Sequence, residues 1–212
     1  ANLSKTKCLA AVSHDLLQPL NAARLFTSAL LERREAVSNE VLVRNVSNSL
    51  EDVENLLGTL VDISKLDAGV IKADVAPFAL SELLDTLAAE YTQVARSEGL
   101  ELHFIACSAL VRSDIQLLAR ILRNLLSNAI RYTYSGRVVL GCRRHHQRLS
   151  IQVWDSGMGI DENRLEEIFQ EFKRGDVQRP DQDRGLGLGL AIVEKIAGIL
   201  GHRVQVRSWP GK

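Results

Sequence analysis

The sequence predicts an α+β protein in which an antiparallel helical hairpin is followed by an α/β sandwich domain. Apolar residues recur at steps of three and four from Leu16 to Leu30 and again from Val46 to Leu60, which is the period of two helices. Beyond Gly69, helical segments alternate with short segments of two-residue periodicity, which indicates a mixed sheet covered by helices. A lone hairpin leaves half of its apolar stripe in water, so we expect two copies to form a dimeric four-helix bundle.

The amino-acid composition argues against several classes of function. The chain has 26 Lys and Arg residues and 26 Asp and Glu residues, which argues against nucleic acid as a partner, because binding it requires excess positive charge on one face. No apolar run approaches the roughly 20 residues that span a bilayer, so membrane contact is not expected within this stretch. Cys8, Cys107 and Cys142 are odd in number and far apart. They predict neither a disulfide framework nor a metal site, and the compartment is expected to be reducing and cytoplasmic.

The ends of the helical hairpin carry local signals. Residues 32–40 are charged, and either Ser38 or Asn39 is suited to cap the second helix. Gly69 is suited to end that helix. The chain begins with Ala1 rather than methionine and stops at residues 211–212, where a further strand is expected, so we expect it to be part of a longer protein.

The α/β part is predicted from periodicity and turn residues, with Asp114 as the cap of its second helix. Residues 173–187 are rich in charge and glycine, which is typical of a mobile loop. The predicted helices are residues 79–98, 114–132 and 188–200, with a loop and helix through 160–170. The predicted strands are residues 100–106, 111–113, 136–144, 149–155 and 203–208.

The helix over residues 114–132 carries two carboxamides and a guanidinium. Asn124 and Asn128 are four residues apart and so share one helix face, with Arg131 and Tyr132 a turn further along. Carboxamide oxygens ligate hard cations such as Mg²⁺, and a guanidinium binds phosphate oxygens by charge-assisted hydrogen bonds. The alternative is that these side chains line a solvated helix face.

Glycines surround a carboxylate and open the last helix. Asp155 ends a predicted strand, and two glycines relax the turn behind it, which gives a base edge access to the backbone; they are Gly157 and Gly159. Glycines alternate with leucines before the last helix, where freed N–H groups suit a phosphate; they are Gly185, Gly187 and Gly189. This spacing matches neither a P-loop nor a Rossmann fingerprint. Between the two groups, we interpret two aromatic residues as core residues: Phe169 and Phe172.

Taken in order, these motifs resemble the catalytic and ATP-binding domain of sensor histidine kinases, which has the Bergerat ATPase fold. The resemblance covers residues 79–212, and it is specific because four individually weak motifs follow in the family's order. Residues 173–187 would be the ATP lid. The matching motifs are an N box at Asn124 and Asn128, a first glycine box at Asp155, Gly157 and Gly159, an F box at Phe169 and Phe172, and a second glycine box at Gly185, Gly187 and Gly189.

The resemblance implies a role for each polar residue. Asn128 would bind Mg²⁺, with Asn124 beside it. Asp155 would accept a hydrogen bond from the adenine amino group, Arg131 would meet the phosphates, and Tyr132 would stack near the base. The glycines would contact the phosphates. ATP and Mg²⁺ are therefore the implied cofactors.

The hairpin resembles the same family at its phosphoacceptor motif. His14, Asp15 and Pro19 stand in the order of the H box. Pro19 cannot donate to the carbonyl of Asp15 and its ring presses on that carbonyl, so we expect the helix to bend one turn after His14. Asp15 is suited to hold the proton on one imidazole nitrogen or to accept it as the other nitrogen attacks. Without the second domain, a single histidine on a helix would be interpreted as a surface residue.

Gln18 departs from the pattern of relatives that also dephosphorylate their partner. That pattern resembles Asp or Glu, two residues, then Thr or Asn; here Asp15 matches and Gln18 replaces the last residue. An amide would still orient a water, so phosphatase activity is left open. The residues around His14 resemble those of hybrid kinases, in which a receiver domain of the same chain takes the phosphoryl group first.

We therefore predict an ATP-dependent protein histidine kinase of a two-component system. Residues 1–68 would be the dimerisation and phosphotransfer domain, 69–78 a linker and 79–212 the nucleotide domain. His14 would take the γ-phosphoryl group, and the aspartate of a response-regulator receiver domain, in the same chain or in another, would take it next. Two alternatives are another Bergerat-fold ATPase and a non-catalytic dimeric scaffold or regulator of other kinases.

Overall fold

A computed structural model describes residues 17–30, 39–146, 148–171 and 187–210. The described residues divide into two compact units, one of residues up to 70 with 187–188, the other of residues 71–171 and 189–210. No helix in these ranges is long and apolar enough to cross a membrane. Several predictions lie outside the described residues: those for His14, Asp15, Phe172 and Gly185, and for the loop up to residue 186.

The first unit contains the two predicted helices, α1 over residues 17–30 and α2 over Asn39–Asp67. The prediction that Gly69 ends α2 is confirmed. Gly69 has a φ of 64°, and its N–H donates to the carbonyl of Leu66 over 3.1 Å while Val70 N–H donates to the carbonyl of Lys65 over 3.2 Å. This pair of bonds satisfies the last carbonyls of the helix, and it requires the left-handed conformation that glycine adopts without strain.

Much of the apolar surface of α2 is exposed in the single chain. Val43, Leu50 and Leu57 are 57%, 47% and 47% exposed. They are seven residues apart, which places them on one stripe of the helix. Other apolar residues of this unit are buried: Ala23, Leu42, Ile63 and Leu66.

The second unit is a mixed α/β domain with two small sheets. Its strands are β1 (Ala76–Ala79), β2 (Glu101–Phe104), β3 (Leu110–Ser113), β4 (Arg137–His145) and β5 (Arg148–Asp155). Its helices are α3 (Leu80–Ser97), α4 (Ile115–Arg131), the short 3₁₀ helix η1 (Glu162–Arg164) and α5 (Gly189–Leu200). Strands β1 and β3 pair antiparallel, while β4 lies between a parallel β2 and an antiparallel β5. The mixed sheet and the predicted β4–β5 hairpin are thereby confirmed.

The core of this unit lies between the helices and the three-stranded sheet. Helix α4 packs against α3, α5 and the β4–β5 hairpin. Six large side chains at the centre are fully buried: Leu80, Leu84, Leu87, Leu126, Val138 and Leu140. Each such side chain contributes about 1.5 to 3 kcal/mol through removal of apolar surface from water. Helix α4 is therefore held on several sides.

Asp114 caps α4, as predicted. Its Oδ1 accepts from Gln116 N–H over 2.9 Å and from Leu117 N–H over 3.0 Å. Its Oδ2 accepts from Asp74 N–H over 2.9 Å. The side chain is buried, so these bonds satisfy helix donors that water does not reach.

Three predictions of secondary structure were wrong in detail. Residues 203–208 alternate between exposed and half-buried positions but form no strand, because a strand also needs a hydrogen-bonded neighbour, and in the described ranges β5 pairs with β4 alone. The helix predicted within 160–170 is limited to η1 and turns. Strand β1 begins at Ala76, inside the segment assigned to the linker.

The prediction that the cysteines form no disulfide was also wrong. Cys107 and Cys142 are joined by a disulfide, with a Cα–Cα separation of 6.2 Å. The parallel pairing of β2 with β4 continues past β2, where Ile105 N–H donates to the carbonyl of Leu140 over 2.9 Å. This register carries Cys107 to the side of β4, and a sequence separation of 35 residues gives no sign of it.

Candidate functional site

The carboxamides of α4 lie against the first residue of α5. Asn124 Nδ2 donates to the carbonyl of Arg120 over 2.9 Å, which leaves Asn124 Oδ1 facing Gly189. A Cβ built on Gly189 would lie 2.9 Å from Asn124 Oδ1 and 3.9 Å from Asn128 Nδ2. Three residues that the sequence assigned to one site, Asn124, Asn128 and Gly189, are thus neighbours, and a larger residue than glycine would displace the Asn124 side chain.

The turn after β5 packs on the C-terminal end of α4. Asp155 is exposed, and its Oδ1 accepts from Gly157 N–H over 2.9 Å. Met158 N–H donates to the carbonyl of Tyr132 over 3.3 Å. A Cβ on Gly157 would overlap the Tyr132 carbonyl oxygen and lie 2.7 Å from Asp155 Oδ1. Glycine at 157 therefore lets the carboxylate of Asp155 and the backbone of Tyr132 lie side by side.

Gly159 is required by the backbone and by a close approach. Its φ is 76°, and a Cβ there would lie 2.7 Å from the Cα of Pro210. The following Ile160 N–H donates to Ser208 Oγ over 2.7 Å. Gly159, which the sequence assigned to the nucleotide site, therefore has a structural role. It allows the backbone before residue 210 to pack against the turn that follows β5.

The remaining predicted site residues are more dispersed. The Arg131 guanidinium carbon lies 5.8 Å from the centroid of the Tyr132 ring, and both side chains are half-buried. Gly187 has a φ of 65°, and Phe169 is half-buried. Gln18 is exposed on α1.

A buried tyrosine fixes α4 to α3 near the carboxamides. Tyr91 donates from its hydroxyl to the carbonyl of Arg123 over 3.1 Å. Burial, assisted by the nearby carboxylate of Glu90, raises the pKa of Tyr91 to about 12. Glu90 also accepts from Arg123 Nη2 over 3.1 Å, and this bond raises the pKa of Arg123. The sequence does not predict these contacts, because Tyr91 and Arg123 are on different helices.

The carboxamides of α4 suit a cation that is bound partly by the protein and partly by phosphate groups. Within the described ranges, no three His, Cys, Asp or Glu side chains cluster in a way that would hold a metal ion. Mg²⁺ in nucleotide sites commonly takes few protein ligands and several phosphate or water oxygens. The carboxamides of Asn124 and Asn128, beside a glycine that leaves room, have the oxygen chemistry for such a site.

Two family models match different parts of the chain. Residues 4–69 match the His Kinase A (phospho-acceptor) domain. Residues 113–212 match the family described as histidine kinase-, DNA gyrase B-, and HSP90-like ATPase, and this range holds both glycine clusters and the carboxamides of α4. Phospho-acceptor and ATPase domains in this order define a class of signalling proteins. The chain belongs to the sensor histidine kinases.

One curated relative and two solved structures are similar to the chain. The autoinducer 2 sensor kinase/phosphatase LuxQ of Vibrio vulnificus is 32% identical over 94% of this chain, which spans 24% of that protein. The histidine kinase AdeS of Acinetobacter baumannii has a similar fold, with a TM-score of 0.69, 22% identity and coverage of 88% of this chain and 87% of that one. Full-length ShkA, solved in complex with AMPPNP, aligns with a TM-score of 0.64, 27% identity and coverage of 91% of this chain and 41% of its own.

Proposed function

We propose that the chain is the kinase core of a two-component histidine kinase, in which ATP phosphorylates His14. The observation that carries the proposal is the convergence of Asn124 and Asn128 on Gly189 in a chain whose first domain matches the phospho-acceptor family. Residues 1–68 serve as the dimerisation and phosphotransfer domain, and the nucleotide domain that follows Gly69 includes β1, which begins at Ala76.

The nucleotide domain binds ATP through the neighbours of α4. Asp155 accepts from the adenine amino group, Tyr132 stacks near the base, and Arg131 binds the phosphates. Backbone N–H groups at the start of α5 add donors to the phosphates; they belong to the segment with Gly185, Gly187 and Gly189. Asn128, with Asn124 beside it, holds Mg²⁺, which neutralises charge on the transferring phosphoryl group. A similar solved structure, full-length ShkA, is a complex with AMPPNP, which supports nucleotide binding by this domain.

Phosphoryl transfer uses the first domain. Nε2 of His14 attacks the γ-phosphorus, so that a P–N bond forms while the bond to the β–γ bridging oxygen breaks and ADP leaves. Asp15 holds or accepts the proton of the other ring nitrogen, which keeps the attacking lone pair free. A receiver-domain aspartate then attacks the phosphorus, a P–O bond forms and the P–N bond breaks.

The exposed stripe of α2 supports a homodimer. Val43, Leu50 and Leu57 lie in water in the single chain, and a second copy of α2 would cover them with a matching heptad stripe. Light scattering of purified protein tests this. The wild type should have twice the mass of the chain, and Leu50→Glu should yield monomer. Val94→Glu, at an exposed valine of α3, should remain a dimer.

Labelling with γ-phosphate-labelled ATP and Mg²⁺ tests the kinase activity. We expect an acid-labile, base-stable label that is lost in His14→Gln and kept in His145→Gln, which alters an exposed histidine of the β4–β5 hairpin. ATP hydrolysis without protein label would instead favour another Bergerat-fold ATPase. A chain that binds no nucleotide would favour a dimeric scaffold.

A further inference from the structure

Two cysteines of the nucleotide domain form a site that the proposed kinase chemistry does not use. Cys107 follows β2 and is buried at 8% exposure, while Cys142 lies on β4 and is half-buried. Their sulfurs are bonded to each other. The third cysteine of the chain, Cys8, is distant in sequence and lies outside the described residues.

We infer that Cys107 and Cys142 are a redox-responsive pair, which exchanges with small disulfides and thiols and, when oxidised, locks the nucleotide domain. Disulfides in reducing compartments are generally transient and redox-sensing rather than permanent, so the pairing is compatible with the expected compartment. The stabilising effect of the disulfide on the folded domain follows from the position of the two cysteines alone. Its importance for ATP binding rests on the proposed function.

The disulfide closes a covalent loop of the chain, and this loop contains α4, the main helix of the candidate site. The two cysteines are 35 residues apart, and the chain between them contains β3, the cap Asp114 and all of α4, with Asn124 and Asn128. A cross-link of this kind lowers the conformational entropy of the unfolded chain and therefore raises the stability of the folded one. The carboxamides are thus carried on the element that the lock stabilises.

The two thiols stay close without the bond, because backbone contacts hold both segments. Ile105 N–H donates to the carbonyl of Leu140 over 2.9 Å, so the segment after β2 is attached to β4. Leu80 N–H donates to the carbonyl of Ala109 over 2.9 Å, which attaches the same segment to α3. Reduction therefore leaves the sulfurs placed for closure, and the partial exposure of Cys142 gives a small reagent access.

Closure proceeds by two exchange steps with oxidised glutathione as the small disulfide. The Cys142 thiolate attacks one glutathione sulfur, a mixed disulfide forms, and one glutathione thiolate leaves. The Cys107 thiolate then attacks the Cys142 sulfur, the protein disulfide forms, and the second glutathione leaves. Two electrons pass from the protein thiols to glutathione, and the two protein protons are balanced by those that the leaving thiolates take up.

The test uses the full chain carrying Cys8→Ser, so that only the pair contributes thiols. Protein is equilibrated with oxidised or reduced glutathione, the remaining thiols are alkylated, and peptides are mapped by mass spectrometry while thermal unfolding is recorded. We expect a Cys107–Cys142 cross-linked peptide after oxidation. We also expect the transition of the nucleotide domain to be about 10 °C higher in the oxidised form. Cys107→Ser and Cys142→Ser should each abolish the difference between the two conditions.

Three results would overturn the inference: alkylation of both cysteines after oxidation, a glutathione adduct without a cross-link, or equal unfolding temperatures in the two conditions. A serine that weakens the fold by itself lowers both conditions equally, so it does not imitate the loss of the redox difference. ATP binding by the reduced protein is measured in parallel. Its absence would contradict the proposed function and leave the result on the lock unchanged.

Discussion

Asn124 Oδ1 lies 2.9 Å from the position that a Cβ on Gly189 would occupy. A methyl group there is closer than van der Waals contact allows, so Gly189→Ala must turn the Asn124 side chain or move α5. We predict that ATP affinity falls about tenfold, which is about 1.4 kcal/mol. Calorimetric titration with and without Mg²⁺ measures the change.

Gly198→Ala is the matched control for this substitution. Gly198 lies in the same helix, and nothing is within 4 Å of a Cβ built on it. Replacement of a helical glycine by alanine should stabilise α5 by roughly 0.5 to 1 kcal/mol without a change in ATP affinity. Equal ATP affinities for the Gly189 and Gly198 variants would show that the contact between Asn124 and Gly189 is not part of the binding site.

Asp155→Asn separates the turn from its role in binding. The new side chain keeps an oxygen that accepts from Gly157 N–H, so the turn should persist, but it brings an N–H₂ group toward the adenine amino group. We predict that ATP affinity falls at least tenfold while the unfolding temperature stays within about 2 °C. Asp161→Asn, at an exposed residue without a side-chain capping bond, should bind ATP as the wild type does. A parallel loss in both variants would refute the assignment.

Asp114 makes three hydrogen bonds in a buried position, and their loss should be measurable as stability. Asp114→Ala leaves the donors of Gln116, Leu117 and Asp74 without this acceptor, so we predict a loss of about 2 to 3 kcal/mol. Asp114→Asn keeps one oxygen for the helix donors and should cost about 1 kcal/mol. Urea unfolding measures both values, and equal costs for the two variants would show that the bonds from Gln116 and Leu117 contribute nothing.

Tyr91 predicts a loss of stability at alkaline pH. Its pKa in the folded chain is raised to about 12, whereas an unfolded tyrosine ionises near 10. The neutral form is thus favoured by folding, so its contribution is complete below pH 10 and declines as the pH rises toward 12. Urea midpoints at pH 8, 10 and 11 should fall more steeply for the wild type than for Tyr91→Phe. Parallel curves would contradict the burial effect.

Local signals in the sequence predicted the elements that position the site. The cap at Asp114, the stop at Gly69 and the two-residue rhythm of β4 and β5 depend on neighbouring residues, so the sequence displays them directly. The grouping of Asn124 and Asn128 on one face follows from helix geometry. The assignment of Gly189 to the same site came from resemblance to the family, and the fold brings the three together.

Non-local pairing accounts for three of the wrong predictions, those for β1, for residues 203–208 and for the cysteines. Strand β1 contains Pro77 and is only four residues long, so its pairing with β3 has no local pattern to reveal it. Residues 203–208 have the pattern of a strand without a paired neighbour. Cys107 and Cys142 meet because β2 and β4 are in a particular register, and residue spacing carries no information about register.

The hydrogen bond from Asp74 to Asp114 bears on where the nucleotide domain can be cut for separate expression. A recombinant piece that begins at residue 79, the start of the domain that the family resemblance implies, would lack nearly all of β1 and one of the three donors to Asp114. Starting at Ile71, just past the glycine terminator of α2, would retain both. The first residue chosen for expression therefore decides whether crystallisation or ligand screening is done with an intact nucleotide domain or with a weakened one.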